Sequence, residues 1–290
     1  MKNPVEFKKQ REFGEIISDT FLFIKQNFKP LLKVFFYLCG FFILASILSA
    51  VTNMISSTSL NLGDSTSPFQ QLARLFSWSY AFAILFYLLT YAAITVSTIS
   101  YIAVYIAKGN IPPTPEEVWS YFKLYFLRVF GSTILISLVM VAAFVCCIIP
   151  FVYVFPALSL FYAVMIFENG SFAYSFKRGF KLSHKDWWGT AGALFIIWII
   201  TYAAFVIPSL PGIIVGMIIG FTQGAAKIST AWMVVVTVIQ YVSYVFMMIP
   251  LIGVSLCYFN LVERLESSGL LERIDKMGTQ NNQPDIQEEY

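Results

Sequence analysis

Apolar segments long enough to cross a lipid bilayer recur along this chain, and charged residues are nearly absent from them. A hydrocarbon core about 30 Å thick is crossed by about 20 helical residues. A helix on the surface of a soluble protein would instead carry a polar stripe along one side. A buried helix in a large soluble protein explains one such segment but not a series. The pattern therefore predicts an integral membrane protein.

The composition agrees with this prediction. Apolar residues make up 58% of the 290 residues and charged residues 12%, and the mean hydropathy is +0.73, whereas a soluble domain is about 45–50% apolar. We expect an all-α, polytopic membrane helical bundle over residues 1–264, followed by a disordered cytoplasmic tail over 265–290. About six transmembrane helices are expected, at 31–52, 79–107, 131–149, 151–167, 188–207 and 231–259.

The basic residues predict the orientation of these helices. Of the 19 lysines and arginines, all but Arg74 and Lys227 fall in the N-terminal segment, in two of the connections between spans, or in the tail. Lysine and arginine accumulate near the cytoplasmic ends of membrane helices. The chain is therefore expected to be a multi-pass protein of the cell (inner, cytoplasmic) membrane, with its N-terminus and C-terminus in the cytoplasm.

One apolar stretch, 208–224, is hard to place. Its apolar part is too short to cross a bilayer, so we interpret it as a re-entrant or interfacial helix on the outer side, with a seventh span as the alternative. Gly212, Gly216 and Gly220 recur at every fourth position and would lie on one helical face. Such a face permits close packing of a neighbouring backbone, although a chance spacing is the competing explanation.

An amphipathic segment precedes a pair of spans three times, which predicts three hairpins, each with a cytoplasmic amphipathic helix before it. In the first segment, the apolar stripe is expected at Phe13, Ile17, Phe21, Ile24 and Phe28. The second opens at Thr114 with the pattern of a capping box, and its stripe is expected at Val118, Phe122, Tyr125 and Val129. The third begins at Ser171. We expect these stripes to lie in the headgroup region of the bilayer.

The stretch CIIPFVYVFPALSLFYAVMIFENGSFAYSFKRGFKLSHKDWWG is the most distinctive in the chain. Together with the opening FGEIISDTFLFIKQNFKPLL, it resembles a family of bacterial six-helix membrane proteins, which includes the membrane domain attached to some glycerophosphodiester phosphodiesterases. The resemblance covers most of residues 11–264 and implies a six-helix membrane fold. Gly179 stands where related sequences often have serine. The hydrolase portion of that family has no counterpart here, so its activity is not carried over.

The polar residues exclude several classes of chemistry. No ionisable side chain lies in the middle of an expected span, which argues against a carrier coupled to protons or sodium. No phosphate loop, dinucleotide fingerprint, zinc spacing or nucleic-acid patch occurs, so no cofactor, no metal and no nucleic-acid partner is expected. Glu168 is a candidate structural carboxylate that could pair with Arg178 or with a basic residue of another unit. Gln240 is a second candidate, which packs between helices or lines a polar cavity.

Four basic residues of the third amphipathic segment are candidate contacts for anionic lipid headgroups: Lys177, Arg178, Lys181 and Lys185. Each basic residue gains about 1 kcal/mol near an anionic leaflet. The leading hypothesis is a non-enzymatic accessory or scaffold protein that contacts lipid headgroups, or a membrane or cytoplasmic protein partner, at its cytoplasmic face. The alternative is a transporter or channel for a lipid-like or small neutral substrate, which requires a cavity between the spans.

Overall fold

A computed structural model describes residues 4–59, 77–146, 148–223 and 229–266 of the chain. These residues are mostly helical and none of them forms a strand, which confirms the all-α prediction. The helices are α1 (Phe13–Ser59), α2 (Trp78–Ala107), α3 (Pro115–Cys146), α4 (Ile148–Phe167), α5 (Phe172–Lys185), α6 (Trp187–Gln223), α7 (Thr230–Val242) and α8 (Met248–Glu266), with a 3₁₀ turn over Ser243–Met247.

Five helical stretches are long and apolar enough to cross a membrane: Phe13–Ile55, Trp78–Ala107, Pro115–Val145, Trp187–Ile219 and Ala231–Glu266. The apolar part of α4, Val152–Phe167, is shorter. Several membrane-length helices are thus present, as predicted, while the number of six spans stays a prediction. Most of the tail, 267–290, lies outside the described residues, and α8 extends to Glu266, two residues into the segment that was expected to be disordered.

The prediction of a separate amphipathic helix before each hairpin is wrong for the first two units. Helix α1 runs without interruption through Pro30, and α3 continues from its amphipathic start at Pro115 into the apolar part. Membrane helices tolerate an internal proline because neighbouring groups satisfy the carbonyl that it frees. The capping at the start of α3 is as predicted, since the amide of Thr114 donates to Glu117 Oε2 over 2.7 Å.

The prediction of a separate re-entrant or interfacial helix at 208–224 is also wrong. Residues 208–223 continue α6, which spans Trp187–Gln223 and contains both Pro208 and Pro211. The two prolines suggested a helix break after Ile207, because proline removes a backbone hydrogen bond and usually ends a helix. Here the helix persists through them.

The third unit does have its own helix. Ser171 caps α5 by accepting a hydrogen bond from the amide of Tyr174 (3.4 Å). Helix α5 then packs antiparallel against α4: Phe172 contacts Phe161, and further along, Trp187 Nε1 donates to the carbonyl of Tyr153 (3.1 Å).

Gly179 makes the close approach of these two helices possible. A Cβ atom at this position would lie 2.7 Å from the carbonyl oxygen of Ala157, closer than real Cβ contacts. Any larger side chain would therefore have to move α5 away from the backbone of α4.

The predicted apolar stripes differ in outcome. In α1, Phe13, Phe21 and Phe28 are 42%, 37% and 54% exposed, so their place in the headgroup region stays a prediction, while Ile17 and Ile24 pack partly buried against the core. The second stripe was assigned correctly, because all its residues are buried: Val118, Phe122, Tyr125 and Val129. However, these side chains belong to the core of the bundle, so their predicted place in the headgroup region is wrong.

Burial is concentrated towards one end of the bundle. In α2 the buried residues run from Thr90 to Tyr105, and residues 78–89 are exposed or half-buried. Helix α8 is buried from Met248 to Glu263. In α3 the last buried position is Ile136, and in α6 it is Thr201. The helices therefore form a solid core at one end and present apolar side chains to their surroundings at the other.

Residues 4–12, here called the N-terminal strap, cover the densely packed end of the bundle. Phe7 is 1% exposed and makes edge-to-face contacts with Phe23 of α1, Tyr105 of α2 and Phe259 of α8, at centroid distances of 5.1–6.1 Å. Such aromatic pairs stabilise beyond the area that they bury. The strap thus joins the first, second and last helices.

Arg11 is the polar centre of the strap, and its side chain is only 1% exposed. Its guanidinium donates to Asp19 Oδ2 (2.8 Å) and to the carbonyl oxygens of Glu6, Phe7 (2.9 Å) and Lys9 (3.1 Å). The backbone of Arg11 is also bound: its amide donates to Asn260 Oδ1 (2.8 Å), and its carbonyl accepts from Arg264 (3.0 Å).

Contacts at this end also bring the predicted cytoplasmic segments together. The Lys108–Glu117 ion pair (2.8 Å) joins the end of α2 to the start of α3, and the Arg264–Asp186 ion pair (2.8 Å) joins the end of α8 to the start of α6. The segments that hold most of the basic residues therefore lie at a common end of the bundle.

Candidate functional site

Helix α5 presents a stripe of lysines. Lys177, Lys181 and Lys185 are all exposed, and their spacing of four residues places them along one side of the helix. Trp188, which follows in the chain, is 82% exposed. Ser175, Gly179, Leu182 and Ser183 are buried on the other side. Three of the four predicted headgroup contacts are thus accessible on one surface.

Arg178, the fourth predicted contact, lies in an ion-pair network. Its Nε is 3.1 Å from Glu168 Oε1, and its Nη2 contacts Glu266 Oε1. Burial opposes the charge of Arg178, but the hydrogen bonds to Glu266 and Glu168 outweigh it and raise the pKa of the guanidinium above its ordinary value. The guanidinium of Arg178 is therefore paired within the protein and is not available to bind lipid headgroups.

Glu168 is the centre of this network. In addition to Arg178, it accepts hydrogen bonds from the hydroxyl groups of Tyr258 (2.8 Å) and Tyr174. The hydrogen bond to Glu168 raises the pKa of the Tyr174 hydroxyl, because it favours the protonated form. The contacts link the end of α4 to α5 and α8, which is the arrangement expected of a structural carboxylate.

Helix α1 carries a second lysine stripe with the same spacing. Lys25, Lys29 and Lys33 are exposed and lie four residues apart. Phe28 and Phe36, on the same stretch of α1, are 54% and 56% exposed. These three lysines are among the basic residues that predict the orientation, but they were not predicted to be a site. Their signal was the repeat of lysine at every fourth position.

The six lysines of the two stripes have no acidic partner within the described residues. None of the six lysines in the stripes forms an ion pair with a carboxylate in the described ranges, which end at Glu266. By contrast, Lys9 and Lys108 pair with Glu15 and Glu117, and Lys123 lies over the ring of Trp119 at 5.2 Å. The unpaired positive charge is thus concentrated on two helical surfaces.

The glycines of α6 contribute less than their spacing suggested. A Cβ atom at Gly212 would lie 2.5 Å from Val236 Cγ2, so α6 and α7 are in close contact there. A Cβ atom at Gly216 would meet nothing within 4 Å. The side-chain surroundings of Gly220 lie outside the described residues. Close packing therefore applies to Gly212 and not to Gly216.

A cavity of about 300 Å³ lies between α2, α3, α4, α6 and the α7–α8 region. Its position coincides with the boundary between the solid core and the open end of the bundle. No charged residue lines it, and most of the lining side chains are apolar, including Phe155 and Trp198. Seven hydroxyl-bearing residues complete the wall: Tyr87, Tyr91, Thr95, Thr133, Ser137, Ser159 and Tyr162.

Gln240 takes no part in this cavity, because its side chain is exposed on α7. Tyr244 lies next to the cavity instead, with its ring 6.4 Å from that of Tyr87. The alternative in which Gln240 lines a polar cavity therefore does not apply to this cavity. The cavity residues themselves were not identified as a group, since helix-to-helix contacts decide which serines and threonines meet.

Within the described part of the chain, no group of three or more histidine, cysteine, aspartate or glutamate residues is placed to hold a metal ion. Comparison of the chain with family models, with curated proteins and with solved structures finds no match. The resemblance to the bacterial six-helix membrane proteins therefore stays a prediction.

Proposed function

We propose that this chain is a non-enzymatic integral membrane protein that acts as an accessory or scaffold, and that its lysine stripes bind anionic lipid headgroups. The observation that carries the proposal is the pair of lysine stripes without acidic partners, on α1 and α5. Exposed aromatic side chains flank both stripes, and aromatic rings accumulate at headgroup depth. We further propose a cell-membrane location with about six spans and both termini in the cytoplasm.

The expected strength of this interaction follows from the charge count. Each lysine near an anionic leaflet contributes about 1 kcal/mol, so the α5 stripe contributes up to about 3 kcal/mol. Salt reduces this contribution, since charges are screened over about 8 Å at physiological ionic strength. Arg178 adds little, because its guanidinium is already paired with Glu168 and Glu266.

The test compares two triple variants that lose the same charge. One variant replaces Lys177, Lys181 and Lys185 with glutamine; the control replaces Lys9, Lys108 and Lys123, which have partners within the protein. Each protein is placed in phosphatidylcholine vesicles that contain spin-labelled phosphatidylglycerol or spin-labelled phosphatidylcholine. Electron paramagnetic resonance then gives the preference of the protein surface for the anionic lipid.

We expect the α5 variant to lose about half of this preference, because the three lysines of the α1 stripe remain, and the control to keep it. Equal preferences in both variants would refute the role of the stripe. Rising salt should reduce the preference of the unaltered protein towards that of the α5 variant.

The cavity favours a second candidate function, passage of a lipid-like or small neutral substrate. This alternative needs a space between the helices, and a cavity of about 300 Å³ is at the lower end of the volumes of ligand sites. Its test is uptake of such a substrate into vesicles that contain the protein. The lysine stripes do not enter this alternative, so the two candidates can fail independently.

A further inference from the structure

Four of the seven hydroxyl groups in the wall of the cavity donate their protons to other atoms of the protein. Ser137 donates to the carbonyl of Ile134, and Ser159 donates to the carbonyl of Phe155, both over 2.8 Å. Thr133 donates to the carbonyl of Val129 (2.8 Å). These hydroxyl protons are used within their own helices, which is common for serine and threonine in membrane helices.

Because these hydroxyl protons are already used, the wall has few hydrogen bonds to offer a ligand. Tyr162 directs its hydroxyl group to Thr133 Oγ1 (3.2 Å), so it too is engaged by the wall. The cavity has no charged side chain to compensate a carboxylate, phosphate or ammonium group. A charged group without a partner is costly to bury. Thr95 Oγ1 is buried in the wall without a hydrogen-bond partner among the described residues. Since most of the other lining side chains are apolar and none is charged, the cavity suits a hydrocarbon ligand.

The position of the cavity indicates where such a ligand comes from. Tyr87, at the edge of the cavity, is 44% exposed. Beyond the cavity, α2 and α3 carry large exposed apolar side chains, including Leu85 (40%), Leu138 (62%) and Val141 (61%). Both helices are long and apolar enough to cross a membrane, so these side chains suit contact with lipid tails. A lipid tail could then enter the cavity without crossing water.

We propose that the cavity between α2, α3, α4, α6 and α8 binds one acyl chain of a membrane phospholipid. The volume of about 300 Å³ suits part of one chain and not a whole lipid, so the headgroup stays outside. The proposal does not depend on the lysine stripes, because the cavity selects hydrocarbon and the stripes select charge.

Trp198 in the wall provides the probe. The single-tryptophan protein keeps Trp198, and phenylalanine replaces the other five tryptophans. Phosphatidylcholine with brominated acyl chains quenches tryptophan fluorescence on contact. The blocking variant Ser137→Phe inserts a ring into the cavity wall, and the matched control Ser120→Phe makes the same change at an exposed position of the same helix.

We expect brominated phosphatidylcholine to quench Trp198 strongly in the single-tryptophan protein and in Ser120→Phe, and weakly in Ser137→Phe. Excluding two methylene groups from the cavity weakens binding about tenfold. Equal quenching in the two phenylalanine variants would overturn the proposal, because the bromine would then be reaching Trp198 from outside the cavity. Quenching by a brominated free fatty acid but not by the phospholipid would overturn the assignment to a phospholipid chain.

A second measurement on the otherwise unaltered protein guards against loss of structure in the single-tryptophan variants. Native mass spectrometry of protein released from gentle detergent counts the lipids that remain bound. Ser120→Phe should retain one more phospholipid than Ser137→Phe. Equal numbers would refute the site.

Discussion

Replacing Arg11 with alanine should release the N-terminal strap while the transmembrane helices remain folded. The substitution removes four side-chain hydrogen bonds, one to Asp19 and three to backbone carbonyls of the strap. It leaves Asp19, which is 25% exposed, without its partner. Removing one member of a buried ion pair costs about 3–5 kcal/mol. We take this range as the loss of docking free energy, since water can reach the carbonyls once the strap is open.

Hydrogen exchange measures that loss directly. The amides of Val5 and Arg11 are held by Gln26 Oε1 (3.2 Å) and Asn260 Oδ1 (2.8 Å), so they exchange only when the strap opens. A loss of 3–5 kcal/mol corresponds to about 10²- to 10⁴-fold faster exchange, at about 1.4 kcal/mol for each factor of ten. Amides in the buried part of α8 should exchange at their original rate.

Arg11→Lys is the informative second variant. Lysine keeps the positive charge opposite Asp19, but its ammonium group cannot reproduce the planar set of donors that binds three carbonyls. Exchange in the strap should therefore lie between that of the unaltered protein and that of Arg11→Ala. If lysine restored full protection, charge alone would hold the strap. If alanine changed exchange by less than about tenfold, Arg11 would not be its anchor.

Three further predictions concern substitutions at Glu168, in α5 and in α6. Glu168→Gln should lower the pKa of Tyr174 towards its ordinary value, because the hydrogen bond to the carboxylate raises it. The stability that this bond contributes is present below the ordinary tyrosine pKa and is lost as the pH rises through the raised value. An unchanged pKa of Tyr174 in ¹³C-tyrosine NMR would refute the bond. Gly179→Ala should destabilise the protein by about 1–3 kcal/mol, since its Cβ would meet the carbonyl of Ala157. Gly216→Ala should stabilise it by about 0.5–1 kcal/mol, because nothing lies near its Cβ. Thermal unfolding in detergent checks both, and equal shifts would contradict the packing argument.

The sequence was sufficient for the helical class, because long uncharged apolar segments have few alternatives to membrane-length helices. It was also sufficient for local capping at the start of α3, where the side chain of Glu117 binds the amide of Thr114, three residues earlier. It misplaced the helix break after Ile207, since proline signals describe an isolated helix and not one supported by neighbours. It predicted one apolar stripe on α1 but not the buried positions Ile16 and Phe23, because apolar residues occur on several sides of this helix.

The candidate site also has a part that the sequence predicts and a part that depends on contacts between distant helices. The exposed lysines of α5 could be predicted, since helical spacing alone places them on one side. The engagement of Arg178 with Glu168 and Glu266 could be suggested only in part, because Glu266 comes from a distant helix. The cavity depends on which faces of five helices meet, and no local pattern carries that information.

The strap has a consequence for the order in which the protein matures during synthesis. Arg11 binds Asn260, which is 249 residues further along the chain. A ribosome adds about 5–20 residues per second, so the partner of Arg11 is made roughly 12–50 s after Arg11 itself. During this interval Phe7 and Arg11 lack their contacts with α8, so the strap is not yet bound to α8 when the early helices enter the membrane. The contacts of the strap with α8 therefore form after its contacts with α1 and α2 have become possible, so they complete the assembly of this end of the bundle.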